Sequence, residues 1–289
     1  MGFKIVLLGA PSEVHKRFVA RAENLPWIVM DETSLGDACE VCSVFESAQP
    51  SVVVSLGGAS TGTPPHLDAS IQACERQNIP LVHVSSYEVF DVMAADEQLT
   101  EPDLASAGES PIAAQYQVLE NSISALHRSI ILRTSWVLDS GPSALLDQLV
   151  PVLLAGNKIC VSDHHVGAPL GAQYIVDIVV AIIQQILSGA DNWGVFHLHS
   201  GDHCSEAEFC DHLVRQLQKE LECELIFPDV ATQDDSSRFL TGNANLVGRR
   251  CTDDFGIQLP TWRRGFSRLL RDWLKANHID SHISSAAPK

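Results

Sequence analysis

Short β-branched runs alternate with helical patterns through the first half of the chain, and this rhythm constrains the fold more than any other feature. Residues 3–8, 27–30, 51–56, 81–85 and 130–134 are compact apolar runs, the form a strand takes when helices cover both faces of its sheet. Between them, residues 13–23, 37–47, 66–77 and 111–126 carry helical spacing. The arrangement that satisfies this alternation is an α/β fold with a doubly wound parallel sheet.

After Trp136 the pattern loosens into a helix over 143–155, a strand over 158–161, a long apolar helix over 172–187 and a strand over 195–199. Ser205 with Glu208 forms a capping box that opens a helix reaching about residue 221, and short helices are expected over 249–255 and 261–276. The 289 residues therefore divide into a doubly wound domain over 1–140 and a smaller lobe over 141–276. The helix at 172–188 is expected to return to the first domain, and residues 277–289 lack periodicity and read as a tail.

Charge narrows the partners. Nineteen Lys and Arg against 36 Asp and Glu give −17, a surface that repels phosphate backbones and anionic headgroups, so neither nucleic acid nor membrane is an expected partner. The apolar run from Ile5 to Ala10 is too short for a signal-peptide core, and position 6 is Val where a myristoylation signal wants Ser or Thr. The eight Cys, lacking a secretion context, are expected as reduced thiols in a cytoplasmic protein. Cys39 and Cys42 form a C-x-x-C in a helical stretch without a second ligand pair, which favours packing over redox or metal work.

In a doubly wound sheet the first strand-to-helix turn is where a dinucleotide pyrophosphate meets helix N–H groups. Here the turn reads Gly9-Ala10-Pro11-Ser12-Glu13-Val14-His15. A G-x-x-G-x-x-G turn would want glycine at 9, 12 and 15, and only Gly9 is present. Ser12 adds bulk where the backbone should approach the phosphates, and Glu13 adds negative charge, so binding of NADP or NAD is expected to be weakened. Asp31, about 20 residues on, could accept from a ribose hydroxyl. Gly57 and Gly58, ending the third strand, allow close approach of a nucleotide, and Ser85 ends the fourth.

The run Val82-His83-Val84-Ser85-Ser86-Tyr87-Glu88-Val89-Phe90-Asp91 resembles the strand and turn of the dTDP-4-dehydrorhamnose reductase branch of extended short-chain dehydrogenases. Further landmarks follow in that family's order: Leu132-Arg133-Thr134-Ser135-Trp136-Val137, Val161 to Pro169, Gly194 to Leu198, Asn245-Leu246 and Phe255-Gly256-Ile257 to Trp262. The resemblance covers nearly the whole chain. It implies an NAD(P)-binding Rossmann sheet, a C-terminal sugar-nucleotide lobe, and Arg133 and Trp136 as candidates to line the substrate pocket.

The family's hydride chemistry uses a strand hydroxyl, matched here by Ser86, and a Tyr with Lys four residues later. One helical turn places the ammonium beside the phenol and readies it to give up its proton. This chain lacks the pair. None of its three tyrosines has Lys at +4: Tyr87 meets Asp91, Tyr116 meets Glu120 and Tyr174 meets Ile178. No lysine occurs between Lys16 and Lys158. Counting from Pro111, the family's tyrosine falls on Gln115, and counting from the Glu that usually follows the lysine it falls on Ile112; Tyr116 is merely nearby, and a carboxylate at Glu120 would oppose ionisation of that phenol.

The expectation is thus a catalytically degenerate relative that binds a nucleotide, a sugar nucleotide or a protein partner, and could form a homodimer. The alternative is an active NAD(P)-dependent reductase or epimerase using Ser86 and an unconventional acid such as Tyr116. A rival constellation, His197, His199, His203, Cys204, Cys210 and His212, gathers six potential metal ligands within sixteen residues. Its spacing matches no zinc pattern, so no metal is expected. The phosphate-loop motif G-x-x-x-x-G-K-[ST] is absent from the sequence.

Overall fold

The structure, a computed structural model, describes residues 2–9, 12–37, 40–57, 64, 66–90, 97–102, 110–139, 144–157, 159–231 and 243–279. Six parallel strands form the main sheet: β1 (Phe3–Leu8), β2 (Trp27–Asp31), β3 (Val52–Ser55), β4 (Leu81–Ser86), β5 (Ser129–Thr134) and, after the short strands β6 (Cys160–Ser162) and β7 (Val166–Gly167), β8 (Gly194–Leu198). The spatial order is β2-β1-β3-β4-β5-β8, so the chain reverses its direction of winding between β1 and β3. The carboxyl ends of those two strands are the switch point where such sheets bind ligands.

Alternation along β1 shows why both faces are covered. Ile5 and Leu7 pack with Phe18 of α1 (Glu13–Ala22) and with Val176, Val179 and Ile183 of α6 (Ala172–Leu187). Val6 and Leu8 face the other way, toward Phe45 of α2 (Val41–Ala48), Leu67 of α3 (Leu67–Gln77) and Ile123 of α4 (Pro111–Ser124). Each fully buried Leu, Ile or Phe in these layers contributes about 1.5–3 kcal/mol against exposure. Helix α6 thus lies against α1, and β8 extends the main sheet beside β5.

The lobe is built from α5 (Leu145–Leu154), α7 (Glu206–Leu221) and α9 (Phe266–Ala276), whereas α8 (Arg250–Phe255) packs on β8 with Cys251 and Phe255 in the core of the main sheet. Phe209, Trp262, Phe266 and Trp273 dominate a core that continues into Tyr87, Phe90 and Tyr116, so one hydrophobic cluster runs from the lobe to the end of β4. Two small ladders complete it: β7 pairs antiparallel with β9 (Cys204–Ser205), and β6 pairs parallel with β10 (Asp229–Ala231).

Local chemistry sets the helix boundaries. Ser12 caps α1, Ser110 caps α4 with Pro111 in its first turn, and Ser205 with Glu208 makes the reciprocal capping box on α7. Helix α9 starts at Phe266 rather than near 261 because Gly265 adopts φ 87° and breaks the helical path before it. Helix α2 starts at Val41; Cys39, the other half of the C-x-x-C, lies outside the described residues, as do 280–289 of the tail. Among the described residues no helix is long and apolar enough to cross a membrane.

Candidate functional site

Three strand ends meet at the switch point. Gly9 leaves β1 at φ 125°, and a Cβ there would lie 2.7 Å from the Leu56 carbonyl oxygen, so the approach of the two strand ends admits only glycine. Its N–H donates to Glu32 Oε2 at 3.0 Å. Glu32 directly follows β2 and is buried. Its other oxygen accepts from the His66 backbone N–H at 3.2 Å and stands 3.0 Å from His66 Nδ1, while His66 Nε2 lies 2.8 Å from the Gly36 carbonyl oxygen. A ring held between two acceptors is fully satisfied only as imidazolium. His66 accordingly has its pKa raised, first by the Glu32 hydrogen bond, against a smaller opposing effect of burial.

The remaining turn residues serve α1. Ser12 accepts from His15 N at 3.2 Å, as a cap should. His15 is buried, and its Nε2 approaches Asp31 Oδ2 to 3.0 Å without good hydrogen-bond direction. Asp31, chosen from sequence as the ribose acceptor, therefore faces α1, and it is Glu32 that stands over Gly9. Gly57 is buried directly after Leu56 at the same strand ends; Gly58 lies outside the described residues.

At the end of β4 the strand's alternation sends Ser85 and Ser86 to opposite faces. Ser86 Oγ donates to Glu88 Oε2 at 3.1 Å and accepts from Glu88 N at 3.2 Å. The Tyr116 hydroxyl, buried on α4, donates to the same carboxylate oxygen at 3.3 Å. The structure therefore brings Ser86 and Tyr116 together, through a carboxylate. Burial raises the Glu88 pKa, while the bonds from Ser86 and Tyr116 hold it down. Gln115 and Ile112, the two positions where counting puts the family's tyrosine, are both exposed.

Ser85 opens the second network. Its hydroxyl donates to Glu120 Oε1 at 2.6 Å, and Arg133 grips the same carboxylate from Nε and Nη2 at 2.8–3.2 Å. Ser85, Arg133 and His197 are register neighbours across β4, β5 and β8, so all three lie on one face. The Arg133 guanidinium stacks 4.8 Å from the Phe90 ring centroid, and Phe90 meets His197 edge-on. This places Arg133 in a buried ion pair beneath the α4 helix. Glu120 is turned toward Arg133 and Ser85, so the carboxylate that meets the Tyr116 phenol is Glu88, not its helix neighbour at +4. Trp136 is buried against Gly167, where a Cβ would fall inside the indole, and shares the lobe core with Leu145 and Phe209.

The histidine-rich stretch is tied to backbone carbonyls. His197 Nδ1 lies 3.1 Å from the Leu99 and Val247 oxygens, His199 bridges Ser200 and Gly248, and His203 Nε2 lies 2.9 Å from the Leu246 oxygen. Burial and then Arg133 lower the His197 pKa to about 3, and burial alone takes His83 to about 4. Burial also pushes the Cys204 and Cys210 thiols up. Among the described residues no group of three or more His, Cys, Asp or Glu is arranged to hold a metal ion.

Glu32, His66, Glu88 and Glu120 were not singled out as site residues from sequence. Three had a faint signal: Glu32 adjoins Asp31, Glu88 lies two residues after Ser86, and Glu120 is one helical turn from Tyr116; His66 had none.

Residues 68–274 match the family described as the RmlD substrate binding domain. The chain is 23% identical over 299 residues to a dTDP-4-dehydrorhamnose reductase of Burkholderia thailandensis, covering 94% of this chain and 99% of that protein. In structure it is similar to a dTDP-4-dehydrorhamnose reductase of Clostridium acetobutylicum, with TM-score 0.73, 18% identity, and 96% and 100% of the two chains covered. It is also similar to the Bacillus anthracis reductase in complex with NADP, with TM-score 0.72, 15% identity, and 94% and 100% covered. At these identities the structural likeness speaks for the fold.

Proposed function

Because the chain belongs to the RmlD substrate binding domain family, we propose that it keeps the family's nucleotide and sugar-nucleotide cleft but works as a binding or regulatory protein without hydride-transfer turnover. One observation carries this reading. The Tyr116 hydroxyl donates to the carboxylate of Glu88, and no lysine stands one helical turn away to ready the phenol. An anion next to a phenol opposes loss of its proton, whereas an ammonium favours it.

The residues present fit a dinucleotide. Gly9 keeps the tight approach of β1 and β3, α1 presents its N-terminus behind it, and Glu32 offers a fixed carboxylate at the end of β2. Gly9 and Ser12 would lie along the pyrophosphate and Ser86 and Tyr116 toward the reactive ring. Bound nicotinamide would supply a hydride; the chain's own part in that chemistry, a readied proton donor, is what is missing.

A second reading has one observation in its favour. Glu88 has its pKa raised by burial and touches both Ser86 and Tyr116, so a protonated Glu88 could stand behind an unconventional acid. The two readings separate in one experiment: titrate NADH, NADPH and a dTDP-sugar by calorimetry, then follow nicotinamide oxidation with a dTDP-4-keto sugar. Saturable binding without oxidation supports the first reading, and oxidation that tracks the purified protein replaces it with the second.

A further inference from the structure

We infer that the polar cluster at the end of β4 receives an ammonium group, so that the sugar nucleotide this cleft takes carries a primary amine where a keto sugar would place its oxygen. The inference rests on the sugar-nucleotide reading above and adds the substrate class.

The hydroxyl protons decide it. Reduction of a keto sugar needs O–H donors aimed at the carbonyl oxygen. Here the Ser86 hydroxyl donates to Glu88 Oε2 at 3.1 Å and the Tyr116 hydroxyl donates to the same oxygen at 3.3 Å, so neither proton is left for a carbonyl. Glu88 Oε1 has no hydrogen-bond partner among the described residues, and an ionised carboxylate only accepts. Ser86 Oγ accepts one bond, from Glu88 N at 3.2 Å, and a hydroxyl oxygen has two lone pairs. The cluster therefore offers a ligand acceptors in place of donors, the reverse of what a carbonyl oxygen needs. An ammonium brings three N–H donors and matches it.

Charge points the same way. Glu120, the other carboxylate at the end of β4, is gripped by Arg133, whereas Glu88 pairs with no cation among the described residues. From Leu81 to His127, the stretch that builds β4, the turn holding Glu88 and α4, the sequence has no Lys or Arg. Burial accordingly raises the Glu88 pKa, and the bonds from Ser86 and Tyr116 are what hold it down. A half-buried anion without a counter-charge is costly, and an arriving ammonium offsets that cost with a charge-assisted hydrogen bond. Glu88 follows the carboxyl end of β4, the side of such a sheet on which ligands bind, and part of it stays open to solvent.

The test is calorimetric titration of the full chain, in one neutral buffer, with a dTDP-4-amino-4,6-dideoxyhexose, the matching dTDP-6-deoxyhexose and dTDP. The expected result is that the amino compound binds at least about tenfold tighter than its hydroxyl counterpart. Glu88→Gln, which keeps the shape and removes the charge, should bring the two affinities close together. Glu75→Gln, the same change on the exposed side of α3, should leave the ratio as it was, which separates a local contact from the general pull of an acidic chain. Equal affinities, or tighter binding of the hydroxyl compound, overturn the inference even if Glu88→Gln fails to fold. A ratio that survives Glu88→Gln, or that collapses equally with Glu75→Gln, overturns it too. In each of these cases the sugar-nucleotide reading stands, because a sugar nucleotide has bound. If neither sugar nucleotide binds to about millimolar, both fall.

Discussion

The Tyr116 hydroxyl donates to Glu88 Oε2 across 3.3 Å, and Ser86 donates to the same oxygen at 3.1 Å. Two hydroxyls thus converge on one half-buried carboxylate where a proton donor for hydride transfer would have to stand. Burial raises the Glu88 pKa above its usual range. For a carboxyl group shifted in that direction the folded state holds the proton more tightly than the unfolded chain. Its stability contribution is therefore present at low pH and is lost as pH rises through the folded pKa. Glu88→Gln, which cannot ionise, should raise the melting temperature at pH 8 by a few degrees, about 1 kcal/mol, and change it little at pH 5. Thermal melts at the two pH values check this; a variant equally affected at both contradicts it.

His83 and His197 predict the opposite trend in acid. Both are buried with pKa values lowered, to about 4 and about 3, mainly because burial disfavours the charged ring. The unfolded chain takes up protons near pH 6.5 while these two rings in the folded protein do not. Their contribution should be present above that value and fall as pH drops toward 4, by up to about 1.4 kcal/mol per pH unit for each ring. Denaturant titrations between pH 7 and pH 4, with His83→Asn and His197→Asn each removing part of the slope, measure it.

Arg133 and Glu120 form a buried pair with two-pronged geometry. Removing one partner leaves the other charged group buried alone. Arg133→Met or Glu120→Gln should cost about 3–5 kcal/mol, and the double substitution should cost less than the two singles added together. Chemical denaturation of the three variants tests the coupling.

Gly167 abuts the Trp136 indole so closely that a methyl group would enter the ring. Gly167→Ala should destabilise the lobe by about 1–3 kcal/mol through overpacking. Near-ultraviolet circular dichroism of that tryptophan environment, alongside the melt, would register the shift.

Much of the fold was legible because its signals are periodic. The five strands of the first half and the helix Ala172–Leu187 appear where compact apolar runs and helical spacing place them, and Ser205 with Glu208 marks the start of α7 unambiguously. The strands Val166–Gly167, Cys204–Ser205 and Asp229–Ala231 left no such trace, since two or three residues cannot display a period. The site was legible only in part. Ser86 and Tyr116 were named from the resemblance, and the absent lysine from a direct scan of the chain. Which carboxylate each would meet depends on how the end of β4 turns, on the pull of Arg133 on Glu120, and on the parallel pairing of β1 with β2 that brings Gly9 to Glu32. These are tertiary relationships, and residues 13 to 35 positions apart carry no local mark of them.

The central claim, that the chain binds without hydride transfer, is tested most directly by following NADH and NADPH absorbance with purified protein and a dTDP-4-keto sugar. The account predicts no oxidation above the protein-free baseline, even at ligand concentrations that calorimetry shows to be saturating. Oxidation at about 1 s⁻¹ or faster, rising in proportion to the protein and abolished by Ser86→Ala or Tyr116→Phe, would contradict it.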